Sequence, residues 1–163
     1  MSAEVAGHDN PWVAEGMAQL SDVSWAVIVF KRIQATDAAD YILRRSLFES
    51  GVMAIRRALR NGQPLRPDER KTNTGLLSLS DAKSVVSDSD LMEEILGYAD
   101  KTVAHRNVQT RSFVASNDDE GSPKVDLFVD ISFENVQGYI VLCEQLRDHL
   151  IEVTGKAMTS EEE

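Results

Sequence analysis

The segment Asp37–Arg60 carries the apolar spacing of a long amphipathic helix, and it constrains the fold more than any other part of the chain. Its larger apolar side chains form one stripe, made of Tyr41, Phe48, Val52, Ile55 and Leu59. A neighbouring stripe of mostly smaller residues consists of Leu47, Gly51, Ala54 and Ala58. Because small side chains let a second helix approach closely, we expect this helix to pack within a bundle or across a dimer interface.

Helical spacing recurs in four other segments, so the predicted fold class is mostly α, a helical bundle with a small two-stranded extended ribbon before the last helix. The additional predicted helices are Val23–Ala35, Ser80–Val86, Leu91–Ala104 and Glu134–Thr154. Asp22 or Ser21 is the expected N-cap of the first of these, and the run Ser87–Asp90 supplies an N-cap for Leu91–Ala104. Gly155 is expected to end the last helix, and the proline-containing segment Arg60–Thr74 is predicted to be a connector.

The predicted ribbon comes from a change of period after the fourth helix. Val125–Phe133 alternates apolar and mostly polar residues, as an extended strand with one buried face does. One strand cannot satisfy its own backbone hydrogen-bonding groups, so it needs a partner. Val108–Ser116 is the nearest candidate, and the same strand of a second copy of the protein is the other.

Length and composition predict one domain in a cytoplasmic protein. The chain has 163 residues, of which 42% are hydrophobic and 27% charged, and we expect no run to cross a bilayer. The predicted organisation is a flexible N-terminus over 1–20, a helical-bundle domain over 21–155 and a frayed acidic tail over 156–163. The N-terminus does not have the pattern of a signal peptide. Cys143, the single cysteine, lies at an apolar helical position and is predicted to be a buried thiol.

The charge balance opposes nonspecific attraction to nucleic acid. The 17 basic and 27 acidic residues give a formal net charge of −10. Many basic residues, Arg56 and Arg57 among them, nevertheless lie in the first half of the chain. One electropositive face could therefore coexist with an acidic whole, although a solvated helical face is the simpler interpretation.

The motifs of several common activities are missing from the sequence. It contains no phosphate-binding Gly-rich loop, no Cys/His metal spacing and no Gly-x-Ser-x-Gly elbow. The acidic run Asp118–Glu120 lacks the spaced ligands and the closing glutamate of a calcium loop. Neither a cofactor nor a metal site is predicted.

The predicted helix Leu91–Ala104 leads into a histidine beside an arginine, in the string Asp100-Lys101…Ala104-His105-Arg106. This string resembles the histidine-bearing helix of the HEPN superfamily, which contains all-helical ribonucleases, toxins and nucleotide-binding proteins. It is most similar to the abortive-infection branch, in which an Arg-Asp-Lys…Ala-His-Arg string occupies this position. The resemblance extends over roughly Ala38–Leu150, and it implies a homodimer.

The same resemblance implies a ribonuclease site, with one departure. In active family members, Arg and His residues from two protomers are thought to surround a scissile phosphate. The pairing suits metal-independent RNA cleavage, because histidine transfers protons near neutral pH and a guanidinium stabilises charge on phosphate oxygens. In this chain Ala99 replaces the expected arginine. Arg106 lies about 100° around a helix from His105, and Lys101 supplies a point charge rather than a bidentate fork.

The leading hypothesis is therefore a HEPN-like protein that binds without cleaving, or a degenerate RNase, in phage defence or a toxin–antitoxin system. The candidate catalytic residues are His105, Arg106 and Lys101, and the candidate ligand-binding residues are Tyr98, Asp100, Arg56 and Arg57. The expected partners are a second copy, RNA or a nucleotide, and an antitoxin protein, with no membrane association. One alternative is an active metal-independent endoribonuclease that uses His105. The other is a non-enzymatic homo-oligomeric interaction module.

Overall fold

The computed structural model describes residues 11–59, 76–100, 111–117, 123–129 and 131–159, and most of these residues are helical. The α-helices in these ranges are α1 (Pro11–Ala35), α2 (Tyr41–Ala58), α3 (Leu79–Val85), α4 (Ser89–Gly97) and α5 (Val136–Thr159). The strands are β1 (Arg111–Asn117) and β2 (Pro123–Val129). The prediction of a mostly helical bundle is confirmed.

Helix α1 lies between α2 and α5 and runs antiparallel to both. On the α5 side, Lys31 Nζ is 2.7 Å from Glu144 Oε1, and Gln34 Nε2 donates to Gln137 Oε1 at 2.7 Å. On the α2 side, Trp25 Nε1 donates to Ser50 Oγ at 2.9 Å. The two long neighbours of α1 thus leave its outward surface open.

Helix α2 buries the two stripes predicted from its sequence. Phe48, Val52 and Ile55 are fully buried, and only Tyr41 of the larger stripe is exposed. Gly51 lies against α1 so closely that a β-carbon there would sit 2.7 Å from ring atoms of Phe30. The small-residue stripe therefore serves helix packing within the chain.

The two short helices start at well-formed caps. Ser78 and Asp81 form a reciprocal capping box at the start of α3. Asp88, from the predicted capping run, accepts from the backbone N–H of Leu91 at 2.9 Å and caps α4. After Gly97 the chain continues through residues 98–100 in π-helical geometry. The predicted helix Leu91–Ala104 is therefore α-helical only to Gly97, and its last four residues lie outside the described ranges.

The start of α1 corrects two predictions. Residues 11–20, assigned to the flexible N-terminus, are helical, and Val13 and Gln19 within them are buried. Pro11 is the first helical residue, a position where its fixed φ and missing N–H carry no penalty. Neither Asp22 nor Ser21 is an N-cap, because both lie inside α1, where Asp22 bonds Arg57.

By length and composition alone, α1 is long and apolar enough to cross a bilayer, which corrects the prediction that no run of the chain is. Val13–Ala35 contains a window with mean hydropathy 1.2, of which 44% is buried inside the bundle. Packing between α2 and α5 explains much of this apolar character, because central helices of soluble bundles are apolar on several sides.

The other end of the chain corrects the predicted end of the last helix. Gly155 does not end α5, which continues to Thr159, so residues 156–159 of the predicted frayed tail are helical. The connector predicted over Arg60–Thr74 lies outside the described residues.

Strands β1 and β2 pair antiparallel, with Arg111 opposite Val129 and Asn117 opposite Pro123. The predicted strand Val125–Phe133 overlaps β2, but β2 ends at Val129, four residues earlier than predicted. The last residues of the predicted strand, 131–133, form an extended link to α5, in which Ile131 is buried. How the ribbon sits on the helices stays a prediction.

Candidate functional site

The candidate site is built on an ion pair between α2 and the π-helical turn after α4. Arg56 Nε donates to Asp100 Oδ1 at 2.6 Å, with 30% of the arginine side chain and 42% of the aspartate side chain exposed. The two residues are 44 positions apart in the chain. The structure thus brings together two predicted ligand-binding residues, and it does so directly before Lys101.

The π-helical turn packs Tyr98 and Ala99 against the core and leaves Asp100 partly exposed. The Tyr98 ring meets the Phe48 ring edge-on at 5.1 Å between centroids, so its body packs on the core while the residue stays half-buried. Ala99 is fully buried. Position 99, where the string that this chain resembles has an arginine, therefore faces the interior, and a guanidinium there would have to leave the core to meet an anion.

Tyr98, two residues before Asp100, belongs to a cluster of aromatic rings around the buried Phe48. Phe133, from the link before α5, lies 6.0 Å from Phe48 at nearly a right angle, and Tyr139 of α5 lies 5.9 Å from it. Edge-to-face contacts of this kind fix ring positions and add to the stability gained from burial alone. The end of α4, the middle of α2 and the start of α5 therefore pack together through this cluster.

A polar network closes one side of the aromatic cluster. The buried Tyr139 hydroxyl makes a short hydrogen bond to Glu94 Oε1, and Asn135 Nδ2 donates to both Glu94 oxygens at 3.2 Å. Burial, followed by the neighbouring Glu94 carboxylate, raises the pKa of Tyr139 well above its usual value. The hydroxyl therefore stays protonated and serves as a donor that joins α5 to α4.

Arg44 is a site residue that the sequence reasoning missed. Its guanidinium carbon lies 4.3 Å from the centre of the Phe133 ring, a cation–π contact. Its Nε–H is enclosed and has no hydrogen-bond partner among the described residues. An enclosed N–H without an acceptor is destabilising, so an acceptor group placed here would be favoured. No sequence signal marked Arg44, because the contact depends on Phe133 arriving from another element.

Arg57 does not join this cluster, although it follows Arg56 directly. Its Nη2 and Nε both donate to Asp22 of α1, the shortest distance being 2.6 Å. The hydrogen bonds that Arg57 donates to Asp22 raise the pKa of Arg57 above its usual value. The structure therefore places this predicted ligand-binding residue on the α1 side of α2, in a structural ion pair.

Three predicted catalytic residues, Lys101, His105 and Arg106, lie outside the described residues. The described part of the chain contains no group of three or more His, Cys, Asp or Glu side chains placed to hold a metal ion. Cys143 is buried as predicted, and burial raises its pKa strongly, so it is a poor nucleophile.

Comparisons with known proteins add no relative to this description. No protein-family model matches the chain, and neither curated proteins nor solved structures give a significant match.

Proposed function

We propose that this chain is a HEPN-like protein that binds single-stranded RNA beside the Arg56–Asp100 pair and does not cleave it. The observation that carries the proposal is the 2.6 Å contact between Arg56 and Asp100. Through this contact Arg56 provides a guanidinium beside the family-like string. Ala99, at the position of the family's arginine, has no such group. Asp100 takes the Nε–H, and the guanidinium carries four further N–H donors for phosphate oxygens.

The spacing of Arg44 and Arg56 favours a strand over a single nucleotide. Both residues belong to α2, and twelve residues of helix separate them by about 18 Å along the axis and about 120° around it. A ligand that meets both must span several nucleotides, since stacked bases rise about 3.4 Å each.

The absence of cleavage in this proposal follows from Ala99 and Asp100. A buried alanine stands where the transition-state arginine belongs, and the nearest guanidinium is already paired with a carboxylate. The net charge of −10 further predicts weak, salt-sensitive binding. The antitoxin partner and a role in phage defence belong to the same proposal and rest on the resemblance alone. A cytoplasmic setting, expected from the sequence, is proposed with them.

Matched arginine variants test the binding site. Fluorescence anisotropy with a labelled single-stranded RNA of about 12 nucleotides at low salt would compare wild type, Arg56→Gln and Arg57→Gln. We expect Arg56→Gln to weaken binding about tenfold, as the loss of a charged hydrogen bond does. Arg57→Gln removes the same charge from the next residue and should change affinity less than twofold. Equal losses in the two variants, or no binding by wild type, would contradict the proposed site.

Incubation with the same RNA separates binding from catalysis. Wild type should leave the strand intact over hours with or without EDTA. Cleavage that disappears in His105→Ala would instead establish the active-ribonuclease alternative and refute the binding-only proposal.

A further inference from the structure

The outward surface of α1 and α5 carries large apolar side chains that the bundle leaves open. They are Met17 and Ile28 on α1 and Val141, Ile151 and Met158 on α5, with exposed fractions from 39% for Met158 to 58% for Ile28. We call this surface the α1/α5 face. Exposed apolar patches on this scale mark interaction surfaces more often than chance.

We propose that the α1/α5 face is a homodimer interface in which α1 packs antiparallel against α1 of a second copy. The evidence is a self-complementary pattern along the exposed side of α1. Met17, Ser21, Ser24 and Ile28 follow one another at helical spacings of four, three and four residues. Large residues stand at both ends of this row and small ones in its centre.

That row matches itself when it is turned around. In an isologous interface, if residue i contacts residue j of the copy, then j contacts i. An antiparallel pairing centred between Ser21 and Ser24 sets Met17 against Ile28 of the second copy. The two serines meet at the centre, where their small side chains let the helices approach closely.

The exposed apolar residues of α5 are also placed symmetrically about the two-fold axis inferred from α1, although the two helices have different sequences. The contacts Lys31–Glu144 and Gln34–Gln137, with the close approach of Gly16 to Thr154, align α5 beside α1. They place the centre of the α1 row near the middle of α5, around residues 149 and 150. Val141 and Met158 lie symmetrically about that point, so the axis that pairs Met17 with Ile28 also pairs Val141 with Met158.

Charge and area fit a second copy as the occupant. Ionised groups along the α5 side of the face are paired within the chain, as Lys31–Glu144, Arg147–Asp148 and Lys156–Glu152. A chain with a net charge of −10 can therefore meet its copy here without strong repulsion. Helix α1 has 25 residues, and two adjacent helices of that length present roughly 700 Å², close to the approximately 800 Å² per partner of a stable dimer.

The proposed dimer leaves the Arg56–Asp100 pairs apart. Helix α4 packs against α2 and α5, and its buried residues Met92 and Ile95 face the core, whereas the α1/α5 face points to solvent. The two copies would thus carry separate sites rather than one shared cleft. RNA binding and dimerisation can consequently be tested independently.

Light scattering coupled to size exclusion tests the interface with the full chain. Wild type at about 100 μM should have twice the 18.1 kDa chain mass. Ile28→Glu should be monomeric with an unchanged circular dichroism spectrum, because the side chain is exposed within the chain. Ile42→Glu is the matched control, since Ile42 is 80% exposed on α2 and lies off the face, and it should remain dimeric. Monomeric wild type, or a dimer unaffected by Ile28→Glu, would overturn the proposal.

Engineered cysteines test the register. A mixture of Met17→Cys and Ile28→Cys proteins should form a disulfide-linked dimer under mild oxidation, while either variant alone should not, because like positions would lie about 16 Å apart along the helices. Cross-linking of either variant alone to the same extent would refute this pairing. Binding of a monomer to phospholipid vesicles, lost in Ile28→Glu, would assign the face to a membrane and overturn the proposal as well.

Discussion

At the scale of single residues, Gln19 joins segments that are far apart in the chain. Its Nε2 donates to the carbonyl oxygens of Ala58 at 2.6 Å and Leu77 at 2.9 Å, and its Oε1 accepts from the Leu77 N–H at 3.2 Å. The amide is buried, with 5% of the residue exposed. One side chain of α1 therefore holds the end of α2 beside the entry to α3.

Replacing Gln19 by methionine should lower the free energy of unfolding by about 2–4 kcal/mol, because three buried backbone groups lose their partner while the side-chain volume is kept. Urea denaturation followed by circular dichroism measures the change. Gln34→Met is the control on the same helix, since Gln34 is exposed, and it should change the value by about 0.5 kcal/mol or less. Similar losses in the two variants would mean that the buried amide has no special role.

The residue scale also shows what sequence could reach. Arg56 and Asp100 were each predicted to bind ligand, yet their contact was not, because nothing in a linear pattern marks partners 44 positions apart. Arg44 and Arg57 show the same limit of sequence-based prediction. Arg44 was not predicted as a site residue although it lies in the site, and Arg57 was predicted as one although it lies in a structural ion pair. Their environments are decided by Phe133 and Asp22, which arrive from other elements.

At the scale of elements, the packing of α1 on α2 depends on the glycine in the small-residue stripe. An added methyl group at Gly51 would sit 2.7 Å from Phe30, whose ring is locked in the core. Gly51→Ala should therefore destabilise the protein by about 1–3 kcal/mol through overpacking. Thermal unfolding measures it.

Gly155→Ala is the natural comparison, because the space around that helical position is open. Alanine is the better helix former by about 1 kcal/mol, so this variant should unfold at a higher temperature. If Gly51→Ala were also stabilising, the close contact between α1 and α2 would be wrong.

Elements with a regular apolar period were predicted best. The stripes of α2 and the face of α5 were identified because their periodicity extends over many turns. The first half of α1 was missed, because its polar residues Glu15 and Gln19 fall on sides that a soluble helix would expose, and Gln19 is instead buried in hydrogen bonds. The prediction that Gly155 ends α5 is wrong, because a glycine inside a long amphipathic helix lowers the stability of the helix without ending it.

At the scale of the whole molecule, Cys143 reports on the opening of the bundle. It is fully buried within the hydrophobic core cluster, and burial raises its pKa. Two conditions therefore protect the thiol in the native state: the reagent cannot reach it, and the reactive thiolate is disfavoured. At pH 8 the native protein should react with a disulfide reagent about a thousandfold more slowly than the urea-unfolded chain, given typical domain stabilities.

The same thiol gives a pH dependence whose sign follows from the direction of the shift. Because the folded-state pKa is raised, the neutral thiol contributes stability that is fully present below the unfolded pKa of about 8.5 and is lost as pH rises above it. The free energy of unfolding of wild type should fall between about pH 8.5 and 9.5, below the range where an unfolded tyrosine ionises. Cys143→Ala should have a lower free energy of unfolding at pH 8.5, because the substitution leaves a small cavity. That free energy should then fall less than in wild type over the same pH interval. Parallel curves for the two proteins, or rapid labelling of the native thiol, would show that α5 separates from the core far more easily than its buried face implies.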